Sequence, residues 1–169
     1  MNIVLIGYRG TGKSSVARLL ADQTGRTAVD MDDEIVQALG MPIPDFVEKE
    51  GWDRFRDVES EVCWDLSAQD NLVIATGGGV VTRPENIAAL KAKGRLFWLR
   101  ARPKTIVGRI RDDSNRPSLT GTKSFLEEIE HVLEARTPLY RAAAEFDIDT
   151  DDRPLQNVAD DIMRRMLDS

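Results

Sequence analysis

The octapeptide Gly7-Tyr8-Arg9-Gly10-Thr11-Gly12-Lys13-Ser14 constrains this chain more than any other feature. It satisfies G-x-x-x-x-G-K-[ST] and lies between two segments of different periodicity. Before it, Asn2 to Ile6 ends in the continuous apolar run expected of a strand buried on both faces. After it, Lys13 to Thr24 places Val16, Leu19 and Leu20 at i, i+3 and i+4, and Gly25 stands where a helix C-terminal glycine belongs. Glycines let the backbone fold tightly, so that successive N–H groups point inward at phosphate oxygens. The helix opening at Gly12 adds the positive end of its dipole, Lys13 reaches the β and γ phosphates, and Ser14 offers a hydroxyl to Mg²⁺. A polyphosphate nucleotide is therefore the natural ligand, cradled by Gly10, Thr11, Gly12, Lys13, Ser14 and Ser15. The reaction stays open, because such a loop serves GTPases, ATPases, kinases and passive binding modules alike.

Strand-like runs recur at Thr27 to Val29, Leu72 to Ala75, Arg95 to Leu99 and Phe146 to Ile148. Between them lie helical stripes: Phe55, Val58, Val62 and Leu66; Phe125, Ile129, Val132 and Leu133; Leu155, Val158, Ile162 and Met166. This alternation predicts an α/β domain with one parallel sheet covered by helices. Pro138 is expected to end or kink the third helix, and Asp112 to Thr122, with Pro and Gly but no apolar period, to form a mobile loop. No repeat or long linker divides the 169 residues, so a single domain over 1–169 is expected.

Charge narrows the partners. The 23 Lys plus Arg against 29 Asp plus Glu give a net charge of −6, which disfavours nucleic acid or an anionic membrane as partner. An anionic ligand must be met by local basic residues. No apolar run reaches the roughly 18 residues of a membrane span. Nor does a basic leader precede an apolar stretch, so neither a signal nor a transit peptide is expected. One cysteine, Cys63, and one histidine, His131, exclude an internal disulfide and a Cys/His zinc site, which fits a reducing cytosol. Cys63 is expected to be a packed core thiol and His131 a surface helix residue.

A second acid for the metal does not follow Leu72 to Ala75, which runs into Thr76-Gly77-Gly78-Gly79. Asp30 and Asp32 leave the second strand at its C-terminal end, where open α/β sheets bind ligands. Asp30 as an outer metal ligand and Asp32 as the group that orients or deprotonates an acceptor hydroxyl is one reading. The other, that either merely caps the following helix, stays open. Gly77 to Gly79 make a tight turn or let a ligand approach the backbone. Among the arginines, Arg56 has Glu59 at i+3, which either holds it in place or pairs with it at the surface; Arg116 sits in the mobile loop and Arg136 precedes Thr137-Pro138.

As a set, these residues resemble the shikimate kinases, small P-loop enzymes of the nucleoside-monophosphate-kinase type. The resemblance runs over essentially the whole chain: Gly7 to Ser14, Asp30-Met31-Asp32, Phe55-Arg56 with Glu59, Gly77 to Gly79, Arg116-Pro117, Arg136-Thr137-Pro138-Leu139-Tyr140, and Asp149 to Pro154. It implies strand order 2-3-1-4-5, a lid over about 112–122, a substrate-binding helical region over about 31–62, and transfer of the ATP γ-phosphoryl group to the 3-hydroxyl of shikimate. By the same resemblance, Arg56, Arg136 and the Gly77, Gly78 and Gly79 turn take the shikimate carboxylate, and Asp32 takes the ring hydroxyls. Ser14 and Asp30 serve Mg²⁺. Lys13 and Arg116 neutralise the phosphates and, with Asp32, are the catalytic set, while Arg109, Arg153 and Pro154 flank adenine. ATP and shikimate are the implied partners, and a cytoplasmic monomer is expected. One departure is visible: the family lid usually reads Arg-Pro-Leu-Leu, whereas Ser118 here stands between Pro117 and Leu119. Another small-molecule kinase, acting on gluconate or a nucleotide, and a nucleotide-binding module without phosphoryl transfer are the alternatives.

Overall fold

Strand β1 (Asn2–Ile6) is buried along its whole length, and its alternating side chains feed two separate cores. Ile3 and Leu5 enter one core, while Val4 and Ile6 enter the other. The computed structural model describes residues 1–110 and 124–168, arranged around a parallel sheet of order β2-β3-β1-β4-β5. The other strands are β2 (Thr27–Asp30), β3 (Leu72–Ala75), β4 (Gly94–Arg100) and β5 (Phe146–Asp149). Each expected strand is present, extended by one residue at its C-terminal end in β2 and β5 and at both ends in β4.

Helices α1 (Lys13–Thr24) and α8 (Leu155–Leu167) cover one face, where Val16, Leu20, Val158 and Ile162 pack on Leu5, Phe97 and Leu99. The opposite face carries α2 (Met31–Leu39), α3 (Ile43–Glu50), α4 (Trp52–Ala68), α5 (Pro84–Lys93) and part of α7 (Phe125–Ala143). Phe55, Leu66, Leu90 and Tyr140 fill that core together with Val4, Ile74 and Trp98. Short helix α6 (Pro103–Ile110) packs with α7 and Tyr8 in a third cluster. Because β1 has β3 on one side and β4 on the other, consecutive crossovers leave it in opposite directions. A crevice opens beyond its C-terminal end, where the Gly-rich loop emerges.

Two expectations need adjusting. Pro138 does not end its helix: α7 continues to Ala143. Proline forfeits a backbone hydrogen bond to Glu134, but Ile129 and Val132 before it and Tyr140 and Ala143 after it are all buried, and their packing outweighs that loss. Phe125 and Leu155, expected on buried stripes, are exposed at helix N-termini. Cys63 is a core thiol as expected, and burial pushes it up to about 12. His131 lies exposed on α7.

Leu20 is fully buried between α1 and the sheet. Leu20→Ala is expected to lower unfolding free energy by about 2–5 kcal/mol, read as a reduced urea midpoint at unchanged slope.

Candidate active site

The cradle is built by backbone that tolerates no side chains. Gly7 has φ +143°, and a Cβ there would lie 2.3 Å from the Leu99 carbonyl oxygen. Gly10 has φ +80°, and its Cβ would meet the Ile110 side chain at 2.5 Å. Both features compress the loop against β4 and α6 in a left-handed conformation that favours glycine. The Thr11 hydroxyl donates to the Tyr8 carbonyl at 2.8 Å, and Lys13 Nζ donates to the carbonyls of Gly7 and Tyr8 at 2.7 and 2.9 Å. Gly12, also in the left-handed region, hands the chain to α1. A cleft of about 220 Å³ results, lined by Lys13, Ser14, Ser15, Asp30, Asp32 and Gly78 among others.

Asp30 is the N-cap that one sequence reading expected, and its second carboxylate oxygen faces Ser14. One carboxylate oxygen accepts the Asp32 backbone N–H at 2.9 Å and so caps α2, while the other accepts the Ser14 hydroxyl. The cap therefore aims the acid at the start of α1. Asp33 is raised above the ordinary carboxylate range, first by burial and then by the charges of Asp30 and Asp32. Such negative potential beside a pair of hard oxygen donors suits Mg²⁺, which keeps several waters and phosphate oxygens as ligands. Among the described residues no cluster of His, Cys, Asp or Glu encloses a metal entirely with protein, as the same chemistry requires.

The glycines after β3 carry the second half of the site. Thr76 anchors them by donating its hydroxyl and its N–H to the Leu5 carbonyl, at 2.9 and 3.1 Å. The Arg56 guanidinium lies 5.3 Å from the ring centres of both Trp52 and Phe55 and donates to Glu59 at 2.8 Å. With the Glu59 side chain 1% exposed and that of Arg56 13%, this is a buried positioning pair rather than a surface one. The second Glu59 carboxylate oxygen is buried without a hydrogen bond. Nothing in the i+3 spacing alone distinguishes these cases; the flanking aromatics at 52 and 55 are the signal that does.

Backbone without side chains brings both arginines to this turn. A Cβ on Gly79 would fall 2.3 Å from Arg56 Nη1, and one on Gly78 would lie 3.5 Å from Arg136 Nη1 and 3.5 Å from the Arg9 backbone nitrogen. Gly78 is thus a wall common to the phosphate cleft and the arginine pair. Tyr140, buried on α7 one turn beyond Arg136, donates to the Gly78 carbonyl at 2.6 Å. Sequence reasoning gave it no separate role, although its i+4 spacing puts it on Arg136's side of α7.

On the far side of the cradle, Arg109 donates to the Gly10 carbonyl at 3.1 Å and to Thr150 Oγ1 and carbonyl at 3.1 and 3.0 Å. Arg153 donates to the Asp149 and Asn157 carbonyls at 2.9 and 3.3 Å, and Pro154 precedes α8. Arg109 therefore ties the cradle to the 149–154 turn, and Arg153 braces that turn against the start of α8. Arg116, Ser118 and the rest of 112–122 lie outside the described residues.

Gly79 has φ −95°, so alanine there is not strained by the backbone, and the atoms it meets are the end of a flexible side chain. Gly79→Ala is expected to displace Arg56 and disturb its buried pair with Glu59, lowering the unfolding free energy by about 3–5 kcal/mol, read as a reduced melting temperature, and to weaken about ten-fold or more, by calorimetry, the binding of shikimate, whose carboxylate the sequence resemblance assigns to this turn.

Comparison with known proteins agrees with this geometry. The family model described as Shikimate kinase matches residues 9–167. Shikimate kinase of Thermodesulfovibrio yellowstonii is 44% identical over 96% of this chain and 93% of its own length, and that of Symbiobacterium thermophilum 43% over 98% and 96%. Among solved structures, shikimate kinase from Acinetobacter baumannii in complex with shikimate superimposes with a TM-score of 0.94 at 36% identity, covering 99% of this chain and 93% of that one. A gluconokinase from Sinorhizobium meliloti, with a TM-score of 0.60 at 16% identity over 96% of this chain and 89% of that one, shares the fold alone. With a full-length family match joined to a Gly-rich cradle and two arginines meeting at one glycine turn, the chain belongs to the shikimate kinase family.

Proposed function

We propose that the wall at Gly78 is what makes this chain's residues a phosphoryl-transfer site. The phosphate cleft and the two guanidiniums approach the same backbone from either side. That single observation carries the assignment of roles. Shikimate kinases transfer the γ-phosphoryl group of ATP to shikimate with Mg²⁺. In this chain Arg56, Arg136 and the turn of Gly77, Gly78 and Gly79 take the shikimate carboxylate, leaving the ring between that turn and Asp32. Asp32, whose backbone N–H is fixed on Asp30, receives the ring hydroxyls and orients the 3-hydroxyl towards the cradle.

Lys13 and the N–H groups of Gly10 to Ser15 bind the phosphates, and Lys13 neutralises the charge that spreads over the transferring group. Ser14 and Asp30 are the residues that hold Mg²⁺, which when bound withdraws charge from the phosphate oxygens. Arg109, Arg153 and Pro154 shape the adenine side. Arg116 receives its phosphate-neutralising role, and 112–122 its role as a lid, from the sequence resemblance. One chain supplies every one of these groups, which supports a monomeric enzyme, and the requirement for ATP fits a cytoplasmic one. No helix among the described residues is long and apolar enough to cross a membrane.

Addition of shikimate to enzyme, ATP and Mg²⁺ is expected to raise ADP release well above the ATP-only rate; no increase rejects the reading. Arg136→Ala or Arg56→Ala is expected to raise KM for shikimate roughly 10–100-fold with that for ATP nearly unchanged, whereas equal losses would contradict the carboxylate role. Asp30→Asn is expected to raise the Mg²⁺ concentration giving half-maximal rate about ten-fold or more, with shikimate affinity in the absence of metal unaltered.

A further inference from the structure

The carbonyls of the glycine turn do not all find their partners locally. The Gly77 carbonyl accepts from the Val80 N–H at 3.2 Å. The Gly79 carbonyl accepts from the Thr82 N–H at 3.1 Å and from its hydroxyl at 2.7 Å. The middle carbonyl, that of Gly78, takes its hydrogen bond from the Tyr140 phenol at 2.6 Å, reaching 62 residues along the chain to another element. That element is α7, which also carries Arg136 one turn earlier.

The peptide unit is planar, so the direction of the Gly78 carbonyl also fixes the direction of the Gly79 N–H on the opposite edge. With glycine on both sides, no Cβ resists rotation of that plane. The phenol itself is held firmly: it is fully buried, and its ring stacks on Trp98 at 5.8 Å between centres. Burial pushes it up to about 12 against the opposing charge of neighbouring Arg136, so it remains protonated, and a donor, at any working pH.

We propose that Tyr140 is a positioning residue for the carboxylate site, its hydroxyl locking the Gly78–Gly79 peptide to the helix that presents Arg136. It rests on the carboxylate role proposed above for Arg136 and the turn. The hydroxyl touches no reacting atom. It sets the angle between an amide donor and a guanidinium that grip the same anion, and such a grip weakens when either partner turns away.

Tyr140→Phe keeps the buried ring and its stack on Trp98, and circular dichroism with a melting curve verifies the fold. The expected result is a KM for shikimate raised about 5–20-fold, with KM for ATP within two-fold and kcat within about three-fold. Combined with Arg136→Lys, the loss is expected to be smaller than the product of the single losses, because both substitutions release the same grip. An unchanged KM for shikimate, an equal rise in both KM values, or a fall in kcat alone would overturn the proposal. Arg136→Ala measured in parallel separates the two levels. If that variant binds shikimate normally, the carboxylate reading itself fails; if it fails to bind while Tyr140→Phe binds normally, only the role of Tyr140 falls.

Discussion

The close meeting of three backbone segments at Gly78 is the constraint on which the rest of the structure depends. The Gly-rich loop after β1, the turn after β3 and the middle of α7 converge where a single added carbon would touch a guanidinium on one side and a peptide nitrogen on the other. The sheet makes that meeting possible, since β1 and β3 are adjacent parallel strands whose C-terminal ends open side by side. Thr76 then ties the turn back to Leu5, in the strand from which the Gly-rich loop emerges. The proposed nucleotide and acceptor sites thereby share a common backbone wall at Gly78.

Electrostatics works in the same local manner. The chain is acidic overall, yet the arginines that matter are held by specific partners rather than by a general field. Glu59 is buried with one oxygen on Arg56 and the other unpaired, an arrangement that sacrifices solvation of the acid to hold the cation in one place. Trp52 and Phe55 close the remaining directions. Across the site, Asp30 combines an N-cap with a hydroxyl contact, so the start of α2 and the start of α1 share one carboxylate, the one proposed to serve Mg²⁺.

Much of this was legible in the residues. The Gly7 to Ser14 pattern fixed the first strand, the cradle and α1, because its glycines and lysine have few other uses at that spacing. The strands read clearly because they are short apolar runs. What escaped was whatever depends on contacts distant in sequence. Pro138 reads as a helix end or kink by local rules, and the burial of Tyr140 and Ala143 beyond it carries α7 onward. The spacing of Arg56 and Glu59 is the same for a solvated pair and a buried one, so packing alone decides. Likewise the residue types alone left Asp30 open between cap and metal acid, because a capping carboxylate keeps a second oxygen free to face Ser14. Helices α2, α3 and α5, short and bounded by Gly or Pro, gave no stripe long enough to stand out.

The sparseness of side chains around the acceptor's acid group also bears on inhibitor resistance. A compound that bonds to the amides of Gly77 to Gly79 engages atoms shared by every amino acid but proline, which few point changes can recolour. Escape at Gly79 must add at least one carbon, and that carbon collides with the Arg56 guanidinium proposed to grip the natural substrate. Losing the drug and losing the substrate are there the same event, so an escape lineage would have to begin elsewhere in the molecule.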